Sequence, residues 1–116
     1  MLNLFVIDWD EKELYKNIEP LLKEDWNVAY EYNDEVNAIK NIESLKPDVV
    51  IIYLNTSPTK GLLAADLIKK EESIKNIPLI FVNGKSRDVK NTKKKHPNAI
   101  YTTSEVLNDV LINLQY

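Results

Sequence analysis

The stretch VVIIYLNTSPTKG runs from Val49 to Gly61. Four branched apolar residues lead into Tyr53, and the chain then turns polar and loop-like through Asn55, Thr56 and Ser57. A strand with one wet face alternates apolar and polar residues. An unbroken apolar run is the pattern of a strand covered on both faces. Asp48 to Leu54, preceded by Pro47, therefore reads as a central parallel strand that ends at a functional edge. Its last turn outward is occupied by a bulky, neutral phenol.

The rest of the chain alternates around it. Leu2 to Ile7 is apolar except for Asn3 and reads as a short buried strand. Asp10 can cap a helix with Glu13 as its capping-box partner, and Leu14, Ile18, Leu21 and Leu22 form its apolar face. Trp26 to Tyr32 reads as a second strand, and Val36, Ile39, Ile42 and Leu45 as a second helical stripe. Gly61 to Lys70 is a third helix, with Leu62, Leu63, Ala65 and Leu67 as its apolar residues. Pro78 opens the apolar strand PLIFV. Ser86 to Lys95 is a weak helix, since only Val89 is clearly apolar, and Pro97 and Asn98 stop it. Ala99 to Tyr101 is a short strand. Thr102 with Glu105 forms a second capping box before a last helix bearing Val106, Leu107, Val110, Leu111 and Leu114. Five strands alternating with five helices predict an α/β fold with helices on both faces of a parallel sheet. Right-handed crossovers favour a flavodoxin-like, doubly wound sheet of order 2-1-3-4-5. Its active crevice lies beyond the C-terminal ends of strands one and three, at Asp8, Trp9 and Asp10 and at Tyr53 to Gly61.

At 116 residues the chain reads as one domain spanning 1–116. With no cysteine, disulfides, thiolate metal sites and thiol nucleophiles are excluded. No apolar run approaches the ~20 residues of a membrane span, and the N-terminus lacks the basic region of a signal peptide. A cytoplasmic protein is the expectation. The net charge of -3 argues against nucleic acid as the main partner, but it is unevenly distributed. Lys85 to His96 holds six Lys or Arg and one acid, a net of +5, so the remainder carries -8.

Taken together, LFVIDWDE, KPDVVIIYLNTSPTKG, IKNIPLIFVNGK and AIYTTS resemble, in order and spacing, the receiver (CheY-like) domain of bacterial two-component response regulators. The resemblance covers nearly the whole chain. It implies a carboxylate that accepts a phosphoryl group at the end of the third strand, acids after the first strand that hold Mg²⁺, a hydroxyl after the fourth, and a lysine after the fifth. Here Tyr53 stands at the acceptor position and Trp9 at one metal-binding acid, leaving Asp8. Asn83 replaces the hydroxyl residue and Gly84 the small residue after it. The lysine position falls on Thr103, or on Ser104 in a register one later. Gly61 is kept, and Pro58 is displaced by one. A phenol with a pKa near ~10 is neutral at pH 7 and offers neither the nucleophile nor the charge. The chain reads as a degenerate pseudo-receiver, with no metal and no cofactor expected.

Asp8 then has two readings, a leftover metal ligand or a strand-end carboxylate satisfied by hydrogen bonds. Asp10 reads as the helix cap. Trp9 and Tyr53 read either as a partner surface or as two aromatics filling one vacated pocket, with the Tyr53 ring holding the loop Asn55 to Lys60. His96 reads as a solvated helix end. For the basic segment, Lys85, Arg87, Lys90, Lys93 and Lys94 are candidates to dock an acidic protein partner, and Tyr101 is a candidate aromatic switch residue. The resemblance also allows a homodimer through the face from the fourth to the fifth helix. Nucleic acid, contacted through residues 85–95, is disfavoured by the acidic remainder and the lack of a stacking platform. An enzyme is disfavoured because DWDEKE would repel phosphate after the first strand, and two glycines are too few for nucleotide loops. The sequence therefore points to a phosphorylation-independent module that binds another protein. A weak nucleic-acid binder and a residual phosphotransfer receiver are the alternatives.

Overall fold

The computed structural model describes residues 1–116. Five parallel strands, β1 (Asn3–Ile7), β2 (Asn27–Glu31), β3 (Val49–Tyr53), β4 (Leu79–Val82) and β5 (Ile100–Thr102), lie in the order β2-β1-β3-β4-β5. The helices are α1 (Glu11–Lys23), α2 (Glu35–Leu45), α3 (Pro58–Lys70), α4 (Ser86–Lys95) and α5 (Leu107–Gln115). All nine residues of β3 and β4 are buried, as strands covered on both faces must be. Because side chains alternate along a strand, Leu4, Val6, Ile51 and Tyr53 face one layer, built with Leu14, Ile18 and Leu21 of α1 and Leu107 and Leu111 of α5. Phe5, Ile7, Ile52 and Phe81 face the other, against α2, α3 and Val89 of α4. No helix is long and apolar enough to cross a membrane.

Several local expectations are corrected. α3 begins at Pro58, not Gly61, because a proline is well suited to a helix's first turn. Its buried side is Gly61, Ala64, Ala65 and Ile68, so Leu63 is exposed. Small residues let α3 lie close: a Cβ on Gly61 would sit 3.1 Å from Ile52 Cγ2. In α2 the buried residues are Ala38 and Ile42, while Val36 and Leu45 are exposed. The capping box at Thr102 and Glu105 does not form. A turn carries the chain to Leu107, Val106 occupies the cap without a side-chain bond, and the Glu105 carboxyl is held below its ordinary range by its own N–H and by Thr103. At α1 the Asp10 cap is present, its Oδ1 accepting from Glu13 N–H at 3.0 Å.

Candidate functional site

The crevice is set by register. β1 and β3 pair Ile7 with Ile52, so the next step places Asp8 beside Tyr53 at the C-terminal ends of the two central strands. Asp8 is fully buried. Its Oδ1 accepts from the Thr56 hydroxyl at 2.6 Å and its Oδ2 from Asn17 Nδ2 at 2.8 Å. Burial pushes the Asp8 carboxyl above its ordinary range, and these two bonds pull it part of the way back. Asp8 therefore joins α1 to the loop before α3. Thr56 and Asn17 carry no motif that would have flagged them in the sequence.

Tyr53 is 1% exposed and packs in the α1–α5 layer. Burial, and then the nearby Asp8 charge, raise its hydroxyl far above the ordinary phenol value, so it stays neutral. Trp9 is one residue beyond Asp8 and so takes the opposite face, against the α2–α3 layer. Of the two readings of these aromatics, the shared pocket does not hold, because they lie in different layers. The indole N–H of Trp9 is buried without a partner, and Lys60 Nζ lies 4.9 Å from its ring centroid. The loop after β3 has a polar tie of its own. Thr56 ties it to Asp8, and its second half is already helix α3.

Beyond β4, Asn83 and Gly84 both adopt positive φ, 61° and 104°. Asn tolerates this region better than most residues, and Gly more easily still. Asn83 N–H donates to Thr102 O at 2.9 Å, and its Oδ1 accepts from Ser104 N–H at 3.0 Å. Both its backbone and its side chain thus clamp the end of β5. A Cβ on Gly84 would fall 2.9 Å from Leu54 Cβ. Thr103 is exposed and Ser104 is held by Asn83.

Of the three crevice positions Asp8, Trp9 and Tyr53, one is a carboxylate with both oxygens already bonded, one an indole and one a buried phenol. Asp10 is committed to capping α1. A hard divalent cation needs around six oxygen ligands, and this donor set does not fit one.

The basic candidates lie on α4 and at its N-cap, Lys85. Lys85, Arg87, Lys90, Lys93 and Lys94 are exposed, and Thr92 is the helix's one fully buried residue. Tyr101 turns inward: it stacks on Phe81 with centroids 5.3 Å apart, donates its hydroxyl to His96 O at 2.8 Å, and lies under Lys93 at 5.2 Å. His96 is not a solvated helix end. It is buried, and its Nε2 lies 2.8 Å from Asp66 Oδ1 on α3.

The TP_0454_N family model, described as an N-terminal domain, matches residues 2–99. No curated protein matches the chain. Among solved structures, the chain is similar to the chemotaxis protein CheY4 of Vibrio cholerae, at 16% identity and a TM-score of 0.78, with 98% of each chain covered. It is also similar to a response regulator from Desulfuromonas acetoxidans, at 15% identity and TM-score 0.77, covering 99% of this chain and 97% of that one. The pseudo-receiver domain of the CikA protein follows at 14% identity and TM-score 0.68, with 100% and 98% covered. At these identities the likeness is one of fold: five parallel strands and five helices in the receiver arrangement.

Proposed function

The chain belongs to the TP_0454_N N-terminal domain family, and we propose that it is a pseudo-receiver of the cytoplasm that signals by binding another protein, without phosphorylation and without enzymatic activity. The observation that carries this reading is Tyr53. A buried, neutral phenol ends β3 beside an Asp8 whose oxygens are both satisfied by the protein itself. A phenol held uncharged by burial cannot act as the carboxylate nucleophile, and the site lacks ligands for the ion that would neutralise a phosphoryl group. Asn83 spends its side chain on Ser104 instead of offering a hydroxyl, and no lysine follows β5. With the polar side chains of Asp8 and Asn83 committed to internal contacts, this reading puts binding on the outer surface. The most distinctive surface is the cationic outer side of α4, which is suited to an acidic protein partner.

The test is capture from the source cell on the immobilised protein, followed by association kinetics with the captured partner. Reversing Lys90, Lys93 and Lys94 to Glu should slow association at least about tenfold and flatten its salt dependence, with the fold unchanged. An on-rate indifferent to the reversal contradicts the docking face. Acquisition of a phosphoryl group as a condition of binding contradicts the pseudo-receiver.

A further inference from the structure

The charge of this molecule is divided along its sheet. Residues 1–34 contain nine acids and three bases, a net of -6, and they form β1, α1 and β2. The strand order places β2 at one end of the sheet, while α4 connects β4 and β5 at the other. The layers differ as well: α1 packs on the face shared with α5, and α4 on the opposite face through Val89. The acidic and basic regions are therefore diagonally opposed on a body whose longest extent is 31 Å. The Debye length is about 10 Å at 0.1 M salt, so neither region neutralises the other within one molecule.

The acidic end also carries exposed aromatic surface. Tyr15 of α1 and Tyr30 of β2 are 45% and 40% exposed and meet edge to face at 5.8 Å. Glu11 and Glu19 stand one turn to either side of Tyr15, Glu19 in an exposed pair with Lys23 at 3.1 Å, and β2 is an open sheet edge. Carboxylates around aromatic rings suit cations, which gain from the charge and from the ring faces. The outer side of α4 is the converse, lined by Ser86, Arg87, Lys90, Asn91, Lys93 and Lys94 with no apolar residue. Lys90 and Lys94 take part in no ion pair within their own molecule.

We infer that the chain associates with a second copy of itself head to tail, the cationic side of α4 on one copy docking on the acidic, tyrosine-bearing α1–β2 edge of the next. This rests on the reading of α4 as a docking face and names its occupant. Because the two patches are diagonally opposed, the contact is heterologous and extends into open chains of copies instead of closing as a two-fold dimer.

Sedimentation velocity across a concentration series tests it. At about 0.01 M salt, where charges reach about 30 Å, the weight-average sedimentation coefficient should rise with concentration; at about 1 M, where they reach about 3 Å, it should not. Lys90→Glu with Lys94→Glu should be monomeric at low salt, as should Glu11→Lys with Glu19→Lys. An equimolar mixture of the two variants should associate again, since each supplies the patch the other lacks. Tyr15→Ser with Tyr30→Ser should weaken association about three- to tenfold. A monomer at low salt, association that ignores the reversals, or a mixture that stays monomeric overturns the inference. A monomer that still binds an acidic protein, or an oligonucleotide, through α4 overturns the self-association and leaves α4 as a docking face. Reversals that alter neither self-association nor partner binding overturn both.

Discussion

His96 Nε2 lies 2.8 Å from Asp66 Oδ1, joining the C-terminal end of α4 to α3, and Lys95 Nζ approaches the other Asp66 oxygen at 3.7 Å. This contact matters because little else holds α4 down. Thr92 is the helix's one fully buried residue, and Val89 its one apolar anchor. Asp66→Ala should cost about 1–3 kcal/mol, the penalty for leaving a buried polar group unpaired. The loss should be local: α4 amides should exchange faster by about tenfold or more, while those of β1 and β3 keep their protection. Uniform loss across the sheet would show that α4 is not separately latched.

The latch also shows where sequence reading stopped. The β-strands were legible because Val49–Tyr53 and Leu79–Val82 are apolar at every position. That pattern, with the alternating helices, fixes a doubly wound sheet. The Asp10 cap was legible because its partner is local, three residues on. His96 was misread because its partner is thirty residues away, and a lone histidine after three lysines looks solvated. Trp9 and Tyr53 stand out in the sequence only against the receiver resemblance, as aromatics where it implies acids. Their separation onto opposite faces depends on the β1–β3 register, which no local pattern states. The Asn83–Ser104 and Asp8–Thr56 bonds span β5 and β3 connections and are invisible for the same reason.

Tyr53 acts through its ring. Tyr53→Phe should cost under about 1 kcal/mol, whereas Tyr53→Ala should cost about 3–4 kcal/mol through the cavity left in the α1–α5 layer. Chemical denaturation with an unchanged slope would measure both. Equal losses would mean that the hydroxyl carries the contribution.

Asp8 makes stability depend on pH in the direction opposite to a salt-bridged acid. Its carboxyl is raised in the fold by burial, so over the interval from its unfolded value of about 3.9 up to the folded value the native state holds the extra proton. Stability from this group is greatest at low pH and falls as pH rises through that interval. Asp8→Asn removes the titration, so the variant's unfolding free energy should lack this decline. Stability that rises through the same interval because of Asp8 would contradict the assignment.

Asn83 and Gly84 serve geometry. Gly84→Ala places a methyl 2.9 Å from Leu54 Cβ at a φ of 104° and should cost about 1–3 kcal/mol. Asn83→Gly should be milder than Asn83→Ala, since glycine keeps the left-handed backbone and loses only the bond to Ser104. Thermal unfolding of the three variants gives the order directly.

The central claim, that this receiver fold works without a phosphoryl group, is tested most directly by treating the protein and its Tyr53→Asp variant with acetyl phosphate and Mg²⁺, then recording intact mass. Placing a carboxylate at position 53 leaves Trp9, Asn83 and Thr103 where the receiver resemblance implies a second metal acid, a hydroxyl and a lysine. Because those groups act as a unit, neither protein should gain a phosphoryl group. Stoichiometric, Mg²⁺-dependent labelling of the variant at position 53 would contradict the account, leaving Tyr53 as the single lock on an otherwise working receiver. Labelling of the unaltered chain would contradict it outright.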